Sequence, residues 1–169
     1  MYSVLKFGGS SVASATNISR VLDIVGGEVK KGRVILVCSA ISGCTDALLQ
    51  MAAGEMAGMN GLLERHLDIV RRLFTRAERR AMEKAVRELF DALKEAPDEE
   101  KVTYGELLST TLIARKLSCD GHRTLWLDSR KLVVKDDLPA TYRRIEKALK
   151  ASTADIFVAP GFICGTPEG

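Results

Sequence analysis

The chain has no apolar run approaching the roughly 18 residues that a membrane-spanning helix needs. Nor does it open with the basic, apolar and small-residue succession of a secretory signal, so a cytoplasmic protein is expected. Its four cysteines, Cys38, Cys44, Cys119 and Cys164, are scattered and form no CxxC pair. That spacing excludes a disulfide framework or a zinc ribbon and leaves reduced thiols packing as small hydrophobes. The only two histidines, His66 and His122, stand far apart and read as packing or surface residues, so no metal centre is expected. Charge of one sign is also missing: the net value is +3, with no run of Lys and Arg on one face, which argues against a nucleic-acid partner. What is present is 169 residues, 46% hydrophobic and 28% charged, enough for one soluble domain with its own core.

Hydrophobic patterning predicts an α/β domain. A strand over residues 3–7 is followed by helical spacing over 11–30, with Gly26-Gly27 near its end. Arg33-Val34-Ile35-Leu36-Val37-Cys38 is almost continuously apolar, as in a parallel strand buried on both faces. A loop of small residues then leads to a helix at about 45–57, and two strand-loop-helix units in succession imply a βαβ sheet. Residues 61–95 break that rhythm and read as a helical hairpin, with a capping box at Thr75-Arg76-Ala77-Glu78 restarting the second helix. Its arginines, from Arg71 to Arg87, alternate with acids and read as a solvated face. Further elements are expected as a helix at 102–117, a strand at 124–128, a short strand at 131–134, a helix at 139–151 with Pro139 in its first turn, and a strand at 154–159. The Gly/Pro-rich stretch from Pro160 to Gly169 closes the sequence.

The chemistry is concentrated where the first strand ends. In Lys6-Phe7-Gly8-Gly9-Ser10-Ser11, glycines let backbone N–H groups approach a ligand closely, and Ser10 or Ser11 is placed to cap the next helix. A helix start there would add its positive end, and Lys6 an ammonium. One cation about 4 Å from a phosphoryl oxygen contributes roughly 4 kcal/mol at an effective dielectric near 20. The lysine precedes the glycines, the reverse of a P-loop, and the same residues also suit an ordinary tight turn. The loops after the second and last strands are equally rich in small residues. In an open parallel sheet all three gather at the carboxyl ends of the strands, where ligands bind. Glu106 has two readings of its own. Thr103-Tyr104-Gly105-Glu106 fits a second capping box, which local sequence favours, while a carboxylate at that place is also suited to a substrate ammonium.

Four ordered segments resemble one family. Lys6-Phe7-Gly8-Gly9-Ser10-Ser11-Val12, Ser39-Ala40-Ile41-Ser42-Gly43-Cys44-Thr45-Asp46, Tyr104-Gly105-Glu106-Leu107-Leu108-Ser109 and Pro160-Gly161-Phe162-Ile163 are similar to aspartate kinases of the amino-acid kinase superfamily. The resemblance spans the chain, hairpin included, and implies a three-layer αβα sandwich around a mainly parallel sheet. The implied reaction is ATP-dependent phosphorylation of the L-aspartate side-chain carboxylate, the first step toward lysine, threonine and methionine. By the same resemblance Lys6 is catalytic and, with Gly8, Gly9 and Ser10, holds ATP phosphates, while Ser39, Ala40, Thr45 and Glu106 bind aspartate. Glu106 thereby becomes the receiver of the α-ammonium, with Mg²⁺ carried mainly by nucleotide phosphates. The implied partners are small molecules, with no nucleic acid or membrane, and full-length members are expected as homo-oligomers.

Two departures matter. Ser10 replaces a more usual threonine, keeping the hydroxyl. The family's later Gly-Arg-Gly-Gly-Ser-Asp-like segment, its adenine-binding half and its ACT regulatory domains have no counterpart within residues 1–169. The expectation is therefore the N-terminal part of a kinase domain, inactive alone. The alternatives are a kinase for another small acid of the superfamily and a non-catalytic small-anion-binding module. An uncovered apolar edge beside residue 160 would favour an incomplete domain over a self-contained module.

Overall fold

Alternating exposure along its first strand fixes how the sheet sits. In the computed structural model, which describes residues 2–165, β1 (Tyr2–Phe7) turns Leu5 and Phe7 toward one packed layer, while Val4, on the opposite face, is 66% exposed. β1 pairs with β2 (Arg33–Cys38), β2 with β4 (Ile156–Pro160) and β4 with β3 (Thr124–Trp126), all parallel, in the spatial order β1-β2-β4-β3. All strands point the same way, so the loops that follow them emerge along one border of the sheet.

Both faces carry helices. On one face Val34, Leu36 and Cys38 join a large core built with α1 (Ala15–Glu28), α2 (Cys44–Ala52), α3 (Met59–Leu73), α4 (Arg76–Glu95) and α6 (Tyr104–Cys119). On the other, Phe157 and Leu127 pack with Leu125, Ala148 and Leu149, bringing in α8 (Leu138–Lys150). Each large aliphatic or aromatic side chain fully buried this way contributes about 1.5–3 kcal/mol. The result is the layered α/β arrangement expected from the sequence.

The hairpin of α3 and α4 also matches expectation, and its turn is closed by the predicted capping box. The Thr75 N–H donates to the Glu78 carboxylate at 2.8 Å, and that bond holds the carboxyl below its ordinary range. The short helix α5 (Asp98–Lys101) links the hairpin to α6.

Several local expectations are corrected. Ser10 and Ser11 do not cap α1, because Gly9–Val12 forms one tight 3-10 turn closed by the Ser11 N–H on the Gly8 carbonyl at 3.0 Å. Ser14, in extended conformation, takes the cap and accepts from the Asn17 N–H at 3.2 Å. The helix after β2 ends at Ala52, with a 3-10 turn at Met56–Gly58. The short strand expected at 131–134 is instead the helical turn α7 (Ser129–Leu132), because the Asp128 carboxylate accepts the Arg130 N–H and starts a helix there. Val134 retains only one isolated bridge, to Gly165. α8 behaves as predicted, with Asp137 accepting the Ala140 N–H at 2.8 Å and Pro139 in the first turn. Of the closing loop, residues 166–169 lie outside the described residues.

Candidate functional site

The loops after β1, β2 and β4 interlock. The Ser39 N–H donates to the Phe7 carbonyl at 3.1 Å, the Ser42 N–H to the Gly9 carbonyl at 3.2 Å, and the Gly161 N–H to the Cys38 carbonyl at 3.1 Å. Between them lies a cavity of about 320 Å³ lined by residues of all three loops and by Glu106. Its walls include Gly9, Ser39, Ala40 and Thr45, so five of the expected site residues, Glu106 among them, meet there.

Two glycines make the closeness possible. A Cβ on Gly9 would lie 2.8 Å from the Ala40 carbonyl oxygen, so no other residue lets the first two loops touch. A Cβ on Gly105 would meet the Ala40 Cβ at 2.9 Å and the Cys44 Sγ at 3.2 Å. The first turn of α6 can therefore press against the second loop, which brings Glu106 to the cavity wall.

Glu106 does not close a capping box. Thr103 has helical dihedrals, φ −64° and ψ −27°, whereas a capping residue is extended. The Thr103 hydroxyl donates to the Glu100 carbonyl at 2.7 Å instead. α6 follows α5 almost without a break, and the carboxylate turns away from its own helix to accept the Phe162 N–H at 2.7 Å. Only 6% exposed, it is pushed above its ordinary pKa by burial. The N–H groups of Phe162 and Gly161 and the charge of Lys6 pull it partly back.

Lys6 stands on the exposed side of β1, with its Nζ 4.6 Å from the centre of the Phe162 ring. No carboxylate lies within ion-pair range of it among the described residues. Gly8 and Ser10 are exposed beside it and do not line the cavity, and a Cβ on Gly8 would meet nothing within 4 Å. The structure thus forms two adjoining compartments: a recessed one around Glu106 and an open shelf carrying Lys6, Gly8 and Ser10. The shelf offers an ammonium and backbone amides, donors that suit phosphate oxygens rather than a bare cation.

Sequence reasoning gave no role to Phe162, which is 74% exposed and spans the two compartments, its ring on Lys6 and its N–H on Glu106. An aromatic residue directly after Pro160-Gly161 was the available signal. Cys38 and Cys44, buried nearby, have thiols pushed up to about 12 by burial, and they stay protonated and unreactive.

The whole chain, residues 1–169, matches the amino acid kinase family. Among curated proteins it is 32% identical over 150 residues to lysine-sensitive aspartokinase 3 of Escherichia coli (strain K12), covering 79% of this chain and 32% of that protein. It is 27% identical over 198 residues to a chloroplastic bifunctional aspartokinase/homoserine dehydrogenase of Daucus carota, covering 99% of this chain and 21% of that one. The chain therefore spans about a fifth to a third of the curated relatives' length. Two crystal structures of E. coli aspartokinase III cover all of this chain and 42% of theirs. The complex with lysine and aspartate superposes with a TM-score of 0.86 at 23% identity, and the complex with aspartate and ADP with 0.74 at 26%.

Proposed function

Because the chain belongs to the amino acid kinase family, we propose that it is the phosphate-binding and aspartate-binding part of an aspartate kinase. The observation that carries this reading is the pair of adjoining compartments, one walled by a buried carboxylate and one bearing an ammonium with no ion-pair partner among the described residues. A substrate with both an ammonium and a carboxylate spans them: its α-ammonium meets Glu106, and its side-chain carboxylate points toward the shelf. The relatives are aspartokinases, and one neighbouring structure holds aspartate and ADP, which supports the same substrates here.

In the proposed reaction an aspartate carboxylate oxygen forms a bond to the γ-phosphorus of ATP as the bond to the β,γ-bridging oxygen breaks, giving 4-phospho-L-aspartate and ADP. The nucleophile is already ionised at neutral pH, so no general base is needed. The protein's work is positioning and charge complementarity. Lys6 faces the transferring group and offsets the charge spreading over its oxygens. Gly8, Gly9 and Ser10 supply N–H and hydroxyl donors to the phosphates, while Ser39, Ala40 and Thr45 shape the aspartate pocket. Mg²⁺, arriving with the nucleotide, would neutralise phosphate charge, and no cluster of three His, Cys, Asp or Glu side chains placed to hold it occurs among the described residues.

We further propose that these residues are the N-terminal portion of the catalytic domain and that turnover needs the family's later segments. Val4, on the same face of β1 as Lys6, and Phe162 beyond β4 leave apolar area uncovered beside the shelf, which supports this over a self-contained anion-binding module. No helix among the described residues is long and apolar enough to cross a membrane. The decisive measurement is acyl-phosphate formation, trapped with hydroxylamine, by the chain alone and by a polypeptide extended past Gly169. Aspartate-dependent, ATP-dependent product from the extended form alone is expected. Product only with glutamate or another small acid, or none with any, would overturn the assignment.

A further inference from the structure

Charged side chains of the hairpin mostly answer one another. Arg71 pairs with Glu64 at 3.1 Å and Arg72 with Asp68 at 2.8 Å, both on the surface. Arg65, on the same helix α3, forms no ion pair among the described residues. Its guanidinium is directed at backbone instead: one nitrogen donates to the Ser42 carbonyl at 2.6 Å and another to the Ala13 carbonyl at 3.3 Å.

Those two carbonyls belong to different parts of the site. Ser42 lines the cavity in the loop after β2, and its N–H is the group that holds the Gly9 carbonyl. Ala13 ends the turn that carries Gly9 and Ser10 toward α1. Arg65 therefore straddles the aspartate loop and the phosphate turn from behind. Its own helix is a firm base, with Leu62, His66, Leu67, Ile69 and Val70 buried around it. A planar fork of charged donors suits this task, since it bonds two acceptors at a fixed separation, which a lysine ammonium on a flexible stem does not.

We propose that Arg65 is a positioning residue through which the helical hairpin sets the Ser39–Thr45 loop against the Gly9 turn. Its consequence for aspartate rests on the function proposed above, whereas its consequence for the loops does not. The hairpin is then part of the site's scaffold rather than an appendage to the sheet.

Amide hydrogen exchange on the chain tests the loop directly. In Arg65→Ala, the amides of Ser42 and Cys44 should exchange about 10-fold faster or more, the scale for losing a hydrogen bond from a charged donor. Amides in the middle of α3 should keep their protection. Arg65→Lys, which keeps charge and bulk, should fall between the two, and guanidinium ion at millimolar concentration should restore part of the protection in Arg65→Ala. Arg72→Ala, removing a neighbouring surface arginine, should change none of these. In the extended, active polypeptide Arg65→Ala should raise KM for aspartate about 5-fold while KM for ATP changes less than about 2-fold, an effect near 1 kcal/mol. Unchanged exchange at Ser42 and Cys44, or equal loss of protection throughout α3, would overturn the positioning role whatever the enzyme's substrate. Faster loop exchange in a polypeptide that phosphorylates no aspartate would keep Arg65 as the brace and remove only the functional reading.

Discussion

The same four-residue pattern, Thr-x-x-Glu, occurs at the start of α4 and at the start of α6, and the two glutamates do opposite work. Thr75 is extended, so its N–H is free and Glu78 folds back to take it. Thr103 is already helical, its N–H is spent on the Glu100 carbonyl, and Glu106 reaches forward to the loop after β4. The first carboxylate is held below its ordinary pKa by a bond within its own helix. The second is held above it by burial. The backbone angle of the threonine, not the motif, decides whether the acid serves the helix or the cavity. The same division runs through the two regions at large: several hairpin ions pair with one another on the surface, while Lys6 at the end of β1 and Glu106 on α6 form no ion pair among the described residues.

The hardest test of that division is removing the Lys6 cation. Lys6→Ala in the extended polypeptide should lower kcat by about 10²–10³, roughly 2.7–4 kcal/mol, as for loss of one preorganised donor at developing charge. Near-normal turnover would place Lys6 with the ordinary surface lysines.

On the hairpin side the strongest effect belongs to His66. Its Nδ1 lies 2.8 Å from the Leu62 carbonyl, its Nε2 has no partner among the described residues, and Phe90 stands edge-on to the ring, 5.6 Å between centroids. Burial lowers its pKa from 6.5 to about 4. The unfolded chain therefore takes up a proton near pH 6.5 and the folded chain only near 4, so stability is lost as pH falls through that window and levels off below it. The loss amounts to about 3 kcal/mol at most. Urea unfolding of wild type and His66→Phe at pH 7 and pH 5 should show a smaller acid penalty in the variant, and equal penalties would mean that His66 is not the titrating group.

Glu106→Gln comes next, with KM for aspartate rising about 10-fold or more, equivalent to 1.5–3 kcal/mol for a bond to a charged group, and KM for ATP changing less. Acidification should imitate it in the wild type. Because burial holds Glu106 above its ordinary 4.5, it loses its charge, and aspartate its partner, at a pH where exposed carboxylates are still ionised. A variant with unchanged KM and only a lower melting temperature would leave Glu106 as a structural anchor for the loop after β4, through its bond to the Phe162 N–H. The smallest effect compares the threonines themselves. Thr75→Ala should cost about 1 kcal/mol of stability, whereas Thr103→Ala should stay within about 0.5 kcal/mol. Equal losses would erase the distinction between the two motifs.

Much of the fold was legible because its signals are local. The apolar run at β2, the helical spacing of the hairpin and Pro139 at the start of α8 all lie within one element. The capping box at Thr75 is legible for the same reason, since its bonds span three residues. Reading failed where a distant contact decides. Glu106 left its cap for an N–H 56 residues away; at α7 the miss was local, since the Asp128 cap on the Arg130 N–H spans only two residues and outweighed the apolar pattern that suggested a strand. Arg65 lies in no motif, and Phe162 lies in one that names no role for it: the meaning of both comes from loops that only the sheet order brings together.

The register of β1 guards the site against a subtler failure than any substitution discussed above. Lys6 pairs with Val37 and Phe7 with Cys38, so the lysine and the aromatic ring point to opposite sides of the sheet. Sliding β1 by one residue during folding would send the ammonium into the apolar layer against α1 and strand Phe7 in water. What prevents this is the packing of Leu5 and Phe7, both partly buried against the core layer. Fidelity of the first strand's assembly, and with it the aim of the Lys6 ammonium, is thus enforced by grease on the far side of the sheet.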